Sequence, residues 1–257
     1  MALLLTLMNA PSISLLLLAL LSLTGCKPEE PQKPAAWAAT PHEKWPQMVL
    51  TNAARFKGHT SLNGASSFLV QLKSGEVVAA TARHLLGDAG GVKPEVKPAD
   101  FNASLDSWFM HPRTRPDEVV KVRSLASQPD PRPGFDWVLF HIEGTGESVA
   151  TPLTLRRTRV KAGETVHLIG VSYAEPTVAQ KIYSGVVTER RGDRFRYRIT
   201  PYVNIRGFSG APIVDDDGLL VGVMTVWFAN PRMEGDLWME AGGEDAVSAA
   251  AILPAGS

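Results

Sequence analysis

The chain is predicted to be all-β, and three observations carry that expectation. Nineteen prolines and 22 glycines interrupt its 257 residues, and the runs between them are short and apolar, as brief strands joined by turns require. Between Gly64 and Gly87 an apolar run from Phe68 to Leu72 is followed by Ser74-Gly75 and a second run from Val77 to Ala80, the pattern of a hairpin. Farther on, Asp215-Asp216-Asp217-Gly218 stands ahead of the apolar stretch Leu219 to Val226 and reads as another hairpin turn.

Length and charge narrow the possibilities. A chain of this size holds one large β domain or two small lobes. Lysine plus arginine equals aspartate plus glutamate at 26 each, so no global field draws the protein to nucleic acid, and nucleic acid is not expected as a partner. With a single cysteine, Cys26, no internal disulfide forms and the core must hold itself together.

Taken in order, the chain opens with an apolar run, Leu15 to Leu23, ending in Leu23-Thr24-Gly25-Cys26. This resembles the lipobox of a bacterial lipoprotein signal peptide, which implies a signal peptide over 1–25 and a lipidated Cys26 that tethers the mature protein to membrane lipid. Lys27, in place of an aspartate, follows the cysteine; by the same resemblance the protein is expected in the cell envelope, on the outer membrane facing the periplasm. Residues 26–50 carry Pro28, Pro31, Pro34, Pro41 and Pro46 among charges and alanines, a composition that stays extended, so they are read as a tether. Trp37 and Trp45 are expected to pack on the domain surface. The domain proper is assigned to 51–257.

Three residues are candidates for chemistry. Arg206-Gly207-Phe208-Ser209-Gly210-Ala211-Pro212 sets a serine between glycines ahead of a proline, where glycine accepts the dihedrals of a tight turn whose N–H groups point at one spot. The predicted hairpin ends in Thr81-Ala82-Arg83-His84, and Asp136 heads the apolar run Trp137 to Ile142. Of six histidines only His84 sits at such a corner. His141 and His167 lie inside apolar runs and read as structural, His42 lies in the tether, and His59 and His111 have turn-rich surroundings. Every histidine precedes Ser209 and no aspartate precedes His84, so the α/β-hydrolase and subtilisin orders do not fit, while histidine, aspartate, serine does.

These segments resemble the trypsin-like serine proteases. Gly163-Glu164-Thr165-Val166-His167-Leu168-Ile169-Gly170 and Ser184-Gly185-Val186-Val187 are similar to strands of the bacterial HtrA-like branch. The resemblance covers about Asn63 to Phe228 and implies two six-stranded antiparallel β-barrels with the site in the cleft between them. It implies a catalytic triad of His84, Asp136 and Ser209, an oxyanion hole from the N–H groups of Gly207 and Ser209, and a substrate-pairing strand edge at Thr225, Val226 and Trp227. Val203, six residues before the serine, aligns with the floor of the primary specificity pocket, where the lack of charge implies small or medium apolar side chains at the cleaved position. Polypeptide is the implied substrate. Phe208 and Ala211 depart from the family pattern, which carries aspartate or asparagine at the first position and usually glycine at the second; with no acid at 208, activation by a buried N-terminal amine is not expected. No cofactor is called for, and the acidic triplet at 215–217 reads as a solvated turn, so no metal site is assigned. Two other readings share these residues: a catalytically inactive scaffold that binds protein, and an esterase using the same triad.

Overall fold

The computed structural model describes residues 31–127, 132, 134–228 and 238–253, with residues 226–228 described by their backbone alone. The expected signal peptide and Cys26 lie outside the described residues. Gln32–Ser257 forms one compact unit.

Its first half contains β1 (Leu50–Phe56), β2 (Leu62–Gln71), β3 (Val77–Ala82), β4 (Leu105–His111), β5 (Val120–Leu125), β6 (Trp137–Ile142) and the two-residue β7 (Leu153–Thr154). The strands pair in the order β1-β4-β5-β6-β3-β2, and β1 pairs with β2 to close the circle, while β7 adds to β2 in parallel. The second half contains β8 (Thr165–Gly170), β9 (Lys181–Arg191), β10 (Arg194–Ile199), β11 (Pro212–Val214), β12 (Leu220–Phe228) and β13 (Met239–Asp245), closed in the order β10-β13-β12-β11-β8-β9. The fold is therefore two closed six-stranded antiparallel barrels, as the resemblance implied. Closure removes the unpaired edges that open sheets expose.

Strands β3 and β6 show why their sequences are apolar at all but one position each, Thr81 and His141, and do not alternate. On β3, Val77, Ala79 and Ala82 join the first barrel's core, while Val78 and Ala80 join a second apolar cluster between the barrels. On β6, Val138, Phe140 and Ile142 face the first core, and Trp137 and Leu139 face the interface. A strand buried on both faces reads as a continuous hydrophobic run. The first core is built around Phe101, Trp108 and Phe140, whose ring centroids lie 4.6 to 6.0 Å apart. The interface cluster adds Phe68, Ile169, Val214, Leu220 and Val223, so both barrels contribute to one shared apolar layer.

The segment expected as a tether lies on the domain from Gln32 onward. Gln32 donates from Nε2 to Leu155 O at 2.8 Å, and Ala35 N–H donates to Asp217 O at 2.8 Å. Trp45 is 7% exposed, and Met48 and Val49 are buried in the interface cluster. Trp37 and Trp45 meet edge to face with centroids 4.8 Å apart, and Trp45 and His42 close over His167 at 5.4 and 5.0 Å. The proline-rich composition concealed enough apolar surface at Trp37, Trp45 and Met48 to favour docking over solvation.

Candidate active site

The register of β3 against β6 brings two of the candidate residues together. Ala82 at the end of β3 pairs with Trp137 at the start of β6, so the chain leaving one strand runs beside the chain entering the other. Arg83 N–H donates to Asp136 O at 2.6 Å, and His84 N–H donates to Asp136 Oδ1 at 2.7 Å. His84 Nδ1–H donates to Asp136 Oδ2 at 2.6 Å. The side chains are 26% and 13% exposed, so the imidazole keeps a solvent-accessible side. A carboxylate on Nδ1 fixes the tautomer whose Nε2 is free to take a proton.

Ser209 stands on a turn of the second barrel that is pressed against the same corner. Ser66 N–H donates to Ser209 O at 2.8 Å, and Ser66 Oγ donates to Gly207 O at 2.8 Å. Thr81, three residues before His84, donates from Oγ1 to Ser66 O at 2.5 Å. The approach is close enough to demand glycine: a Cβ on Gly210, whose φ is +80°, would stand 2.2 Å from Thr81 Oγ1 and 2.3 Å from Ser66 O. The serine turn is thus tied to β2 by one backbone bond and one bond from the Ser66 hydroxyl, and packed on the end of β3, the strand that delivers His84.

Gly207 and Ser209 are half-buried on this turn. Phe208 N–H bonds Ile205 O at 3.0 Å, Gly210 N–H bonds Met224 O at 2.9 Å and Ala211 N–H bonds Phe208 O at 2.7 Å, while among the described residues no backbone carbonyl accepts from the N–H of Gly207 or Ser209. Gly207 has φ +102°, and the ring of Tyr173 lies against it, 2.9 Å from where a Cβ would be. Tyr173 also accepts the Ala65 N–H at its hydroxyl, 2.5 Å, and its own N–H donates to Arg206 O at 3.0 Å. This one side chain bridges the first barrel and the serine turn.

Phe208 explains how the turn is anchored without the family's acid. It is fully buried in the second barrel's core and packs edge to face on Tyr183, 5.6 Å between centroids. Val203, expected at the pocket floor, is 8% exposed within the same core. Thr225 occupies an irregularity in the register of β12 with β13, between Met224 and Val226; the side chains of Val226 and Trp227 lie outside the description. His167 is buried, with Ser184 Oγ 2.9 Å from Nδ1 and Asp216 Oδ1 2.8 Å from Nε2, and burial pulls its pKa down. His141 faces Glu76 Oε1 at 2.8 Å. Both make structural contacts away from the His84 corner.

Glu244, which no motif marked, sits behind Asp136. This β13 residue is 1% exposed, and its Oε2 accepts the Asp136 N–H at 2.6 Å. Burial pushes its carboxyl up to about 7; the bond from Asp136 N–H opposes this and the Asp136 charge adds to it. The only sequence signal is parity: Glu240, Gly242 and Glu244 share one face of β13, opposite Arg198, Arg196 and Arg194.

Two closed barrels, with a bonded histidine–aspartate pair on the first and a glycine-flanked serine turn of the second packed on Ser66 and Thr81 of the first, define the chymotrypsin-like class. The chain belongs to the trypsin-like peptidase domain family, which matches residues 65–223. Among solved structures it is similar to the protease Anisep from Arthrobacter nicotinovorans, with 13% identity and a TM-score of 0.53 over 77% of this chain and 90% of that one. It is also similar to a Glu endopeptidase, with 16% identity and a TM-score of 0.54 over 85% of this chain and 91% of that one. At those identities the likeness is one of fold. No curated protein sequence matches the chain.

Proposed function

We propose that the protein is a serine endopeptidase that cleaves polypeptides through an acyl-enzyme. The observation that carries this reading is the pair of bonds from His84 to the Asp136 carboxylate, at 2.7 and 2.6 Å, beside a serine turn locked to the same corner. In this reading Ser209 Oγ attacks the peptide carbonyl as His84 Nε2 takes its proton. Asp136 stabilises the imidazolium that forms, and His84 then returns the proton to the leaving amine. Water, deprotonated by His84, frees the acid product and restores Ser209. The N–H groups of Gly207 and Ser209 receive the oxyanion, each contributing about 3 kcal/mol to the transition state. Thr225 to Trp227 pair with substrate backbone, and Val203 gives an uncharged pocket that takes small or medium apolar side chains.

The catalytic unit is carried on a lipidated Cys26 at the outer membrane, facing the periplasm. Leu23-Thr24-Gly25-Cys26 after an apolar run supports this. Labelling with a fluorophosphonate probe tests the enzyme: wild type is expected to label and Ser209→Ala is not, and equal labelling of both removes Ser209 as nucleophile. Fatty-acid labelling lost in Cys26→Ser tests the anchor.

A further inference from the structure

Beside the candidate active site the second barrel carries a cavity of about 230 Å³ lined by Arg191, Arg194, Arg196, Glu189, Thr225 and Gly242, among others. We propose that this cavity is a substrate subsite that receives the carboxylate side chain of a glutamate or aspartate lying within a few residues of the cleaved bond. The proposal rests on the endopeptidase reading and adds a substrate class to it.

The register assembles the cavity. Arg196 stands opposite Glu189 on β9 and Gly242 on β13, and Arg194 stands opposite Arg191 and Glu244. Gly242 has no side chain, and the irregularity at Thr225 faces it across β12 and β13, so the floor between Arg196 and Thr225 stays open. Three guanidiniums and one carboxylate line the space. Arg191 and Arg196 both turn to that carboxylate, Glu189, the first in close contact and the second at 3.9 Å. The neighbouring acids have other partners: Glu244 accepts the Asp136 N–H, Asp193 binds Arg132 and Arg159, and Glu240 faces Arg198 at 3.6 Å. Like charges directly opposite on paired strands are destabilising, and Arg194 against Arg191 is such a pair. An incoming carboxylate relieves that repulsion and meets the planar, multidentate donors that favour it.

Position makes the cavity relevant to the cleaved chain. Arg194 donates to Gly134 O, two residues before Asp136, and Thr225 belongs to the strand edge proposed to pair with substrate. A charge bound here lies alongside the site.

The test compares peptides identical except for glutamate or glutamine at successive positions on both sides of a bond that the wild-type enzyme cleaves. At one position kcat/KM is expected to favour glutamate by about fivefold, the scale of one partly exposed ion pair. The preference is expected to fall toward parity in the Arg191→Gln/Arg196→Gln double variant and in high salt, and to rise in Glu189→Gln, whose surface substitution leaves folding to be verified by thermal melting of both variants. Cleavage at equal rates for every pair, or a preference undiminished in the double variant, overturns the subsite and leaves the endopeptidase reading standing. If no peptide is cleaved, that reading falls, and binding of the same peptides to Ser209→Ala decides the subsite by itself: tighter binding of a glutamate peptide supports it, equal binding overturns it.

Discussion

The carboxyl of Glu244, on the last strand of the second barrel, accepts the backbone N–H of Asp136 on the first barrel at 2.6 Å. The residue that orients His84 is therefore held from behind by the opposite barrel. Glu244→Ala leaves that N–H without its acceptor, a cost of about 1–3 kcal/mol where it is buried, and frees Asp136 to shift. The expected result is a fall in kcat larger than any rise in KM, with partial recovery in Glu244→Gln, which keeps an acceptor; steady-state kinetics of the three proteins checks it.

Glu244 also gives stability a pH dependence. Its folded pKa, about 7, lies above the ordinary 4.5. Below 4.5 the group is neutral in both states; between 4.5 and 7 the unfolded chain ionises it while the folded one keeps the proton. Its favourable contribution is thus complete below 4.5 and is lost as pH rises through 7, by up to about 3 kcal/mol. Glu244→Gln is expected to flatten this part of the stability profile, measured by urea unfolding between pH 4 and 9.

Asp136→Asn removes the acceptor of the His84 Nδ1–H while keeping the volume of the side chain. Turnover at neutral pH is expected to drop by about four orders of magnitude through the wrong imidazole tautomer. Circular dichroism close to wild type, together with the rate loss, is the outcome that checks it.

Phe208 replaces an ion-paired acid with apolar packing as the anchor of the serine turn. Phe208→Ala empties a fully buried site and is expected to cost about 3–5 kcal/mol. It is also expected to loosen Gly207 and Ser209, so that fluorophosphonate labelling slows at temperatures where the domain remains folded. Phe208→Asp buries a charge in the same core and is expected to prevent folding.

The N-terminal segment is part of the domain. A chain beginning at Thr51 loses the buried Trp45, Met48 and Val49 and is expected to be less stable than one beginning at Gln32 by roughly 5 kcal/mol. Denaturant midpoints of the two chains check this.

Particular residues mark where sequence information stopped. The hairpin of β2 and β3 and the serine turn were legible because turn chemistry and hydrophobic runs are local properties of the chain. His84 and Asp136 were legible by order and resemblance, and their contact follows from the pairing of Ala82 with Trp137. Residues 32–50 contact the domain although their composition favours an extended tether, because proline content describes what a segment does in solvent and is silent on a surface that covers it. Glu244 and Tyr173 carry no motif, since each acquires its role from a segment far away in sequence, and the arginines of the β9–β10 hairpin line a cavity only where β12 and β13 bring Thr225 and Gly242 beside them.

By itself the sequence determined the all-β class and the neutral charge balance, which are written in composition and local apolar runs, and it singled out the candidate nucleophile, base and carboxylate through their order in the chain and their resemblance to a family. Only the tertiary structure decided that Tyr173 braces Gly207, that Glu244 backs Asp136, and that three arginines converge beside Thr225. The reason is that barrel closure sets which strands become neighbours, and proximity between strands, which no single segment encodes, is what gives a buried acid or a row of guanidiniums its chemistry.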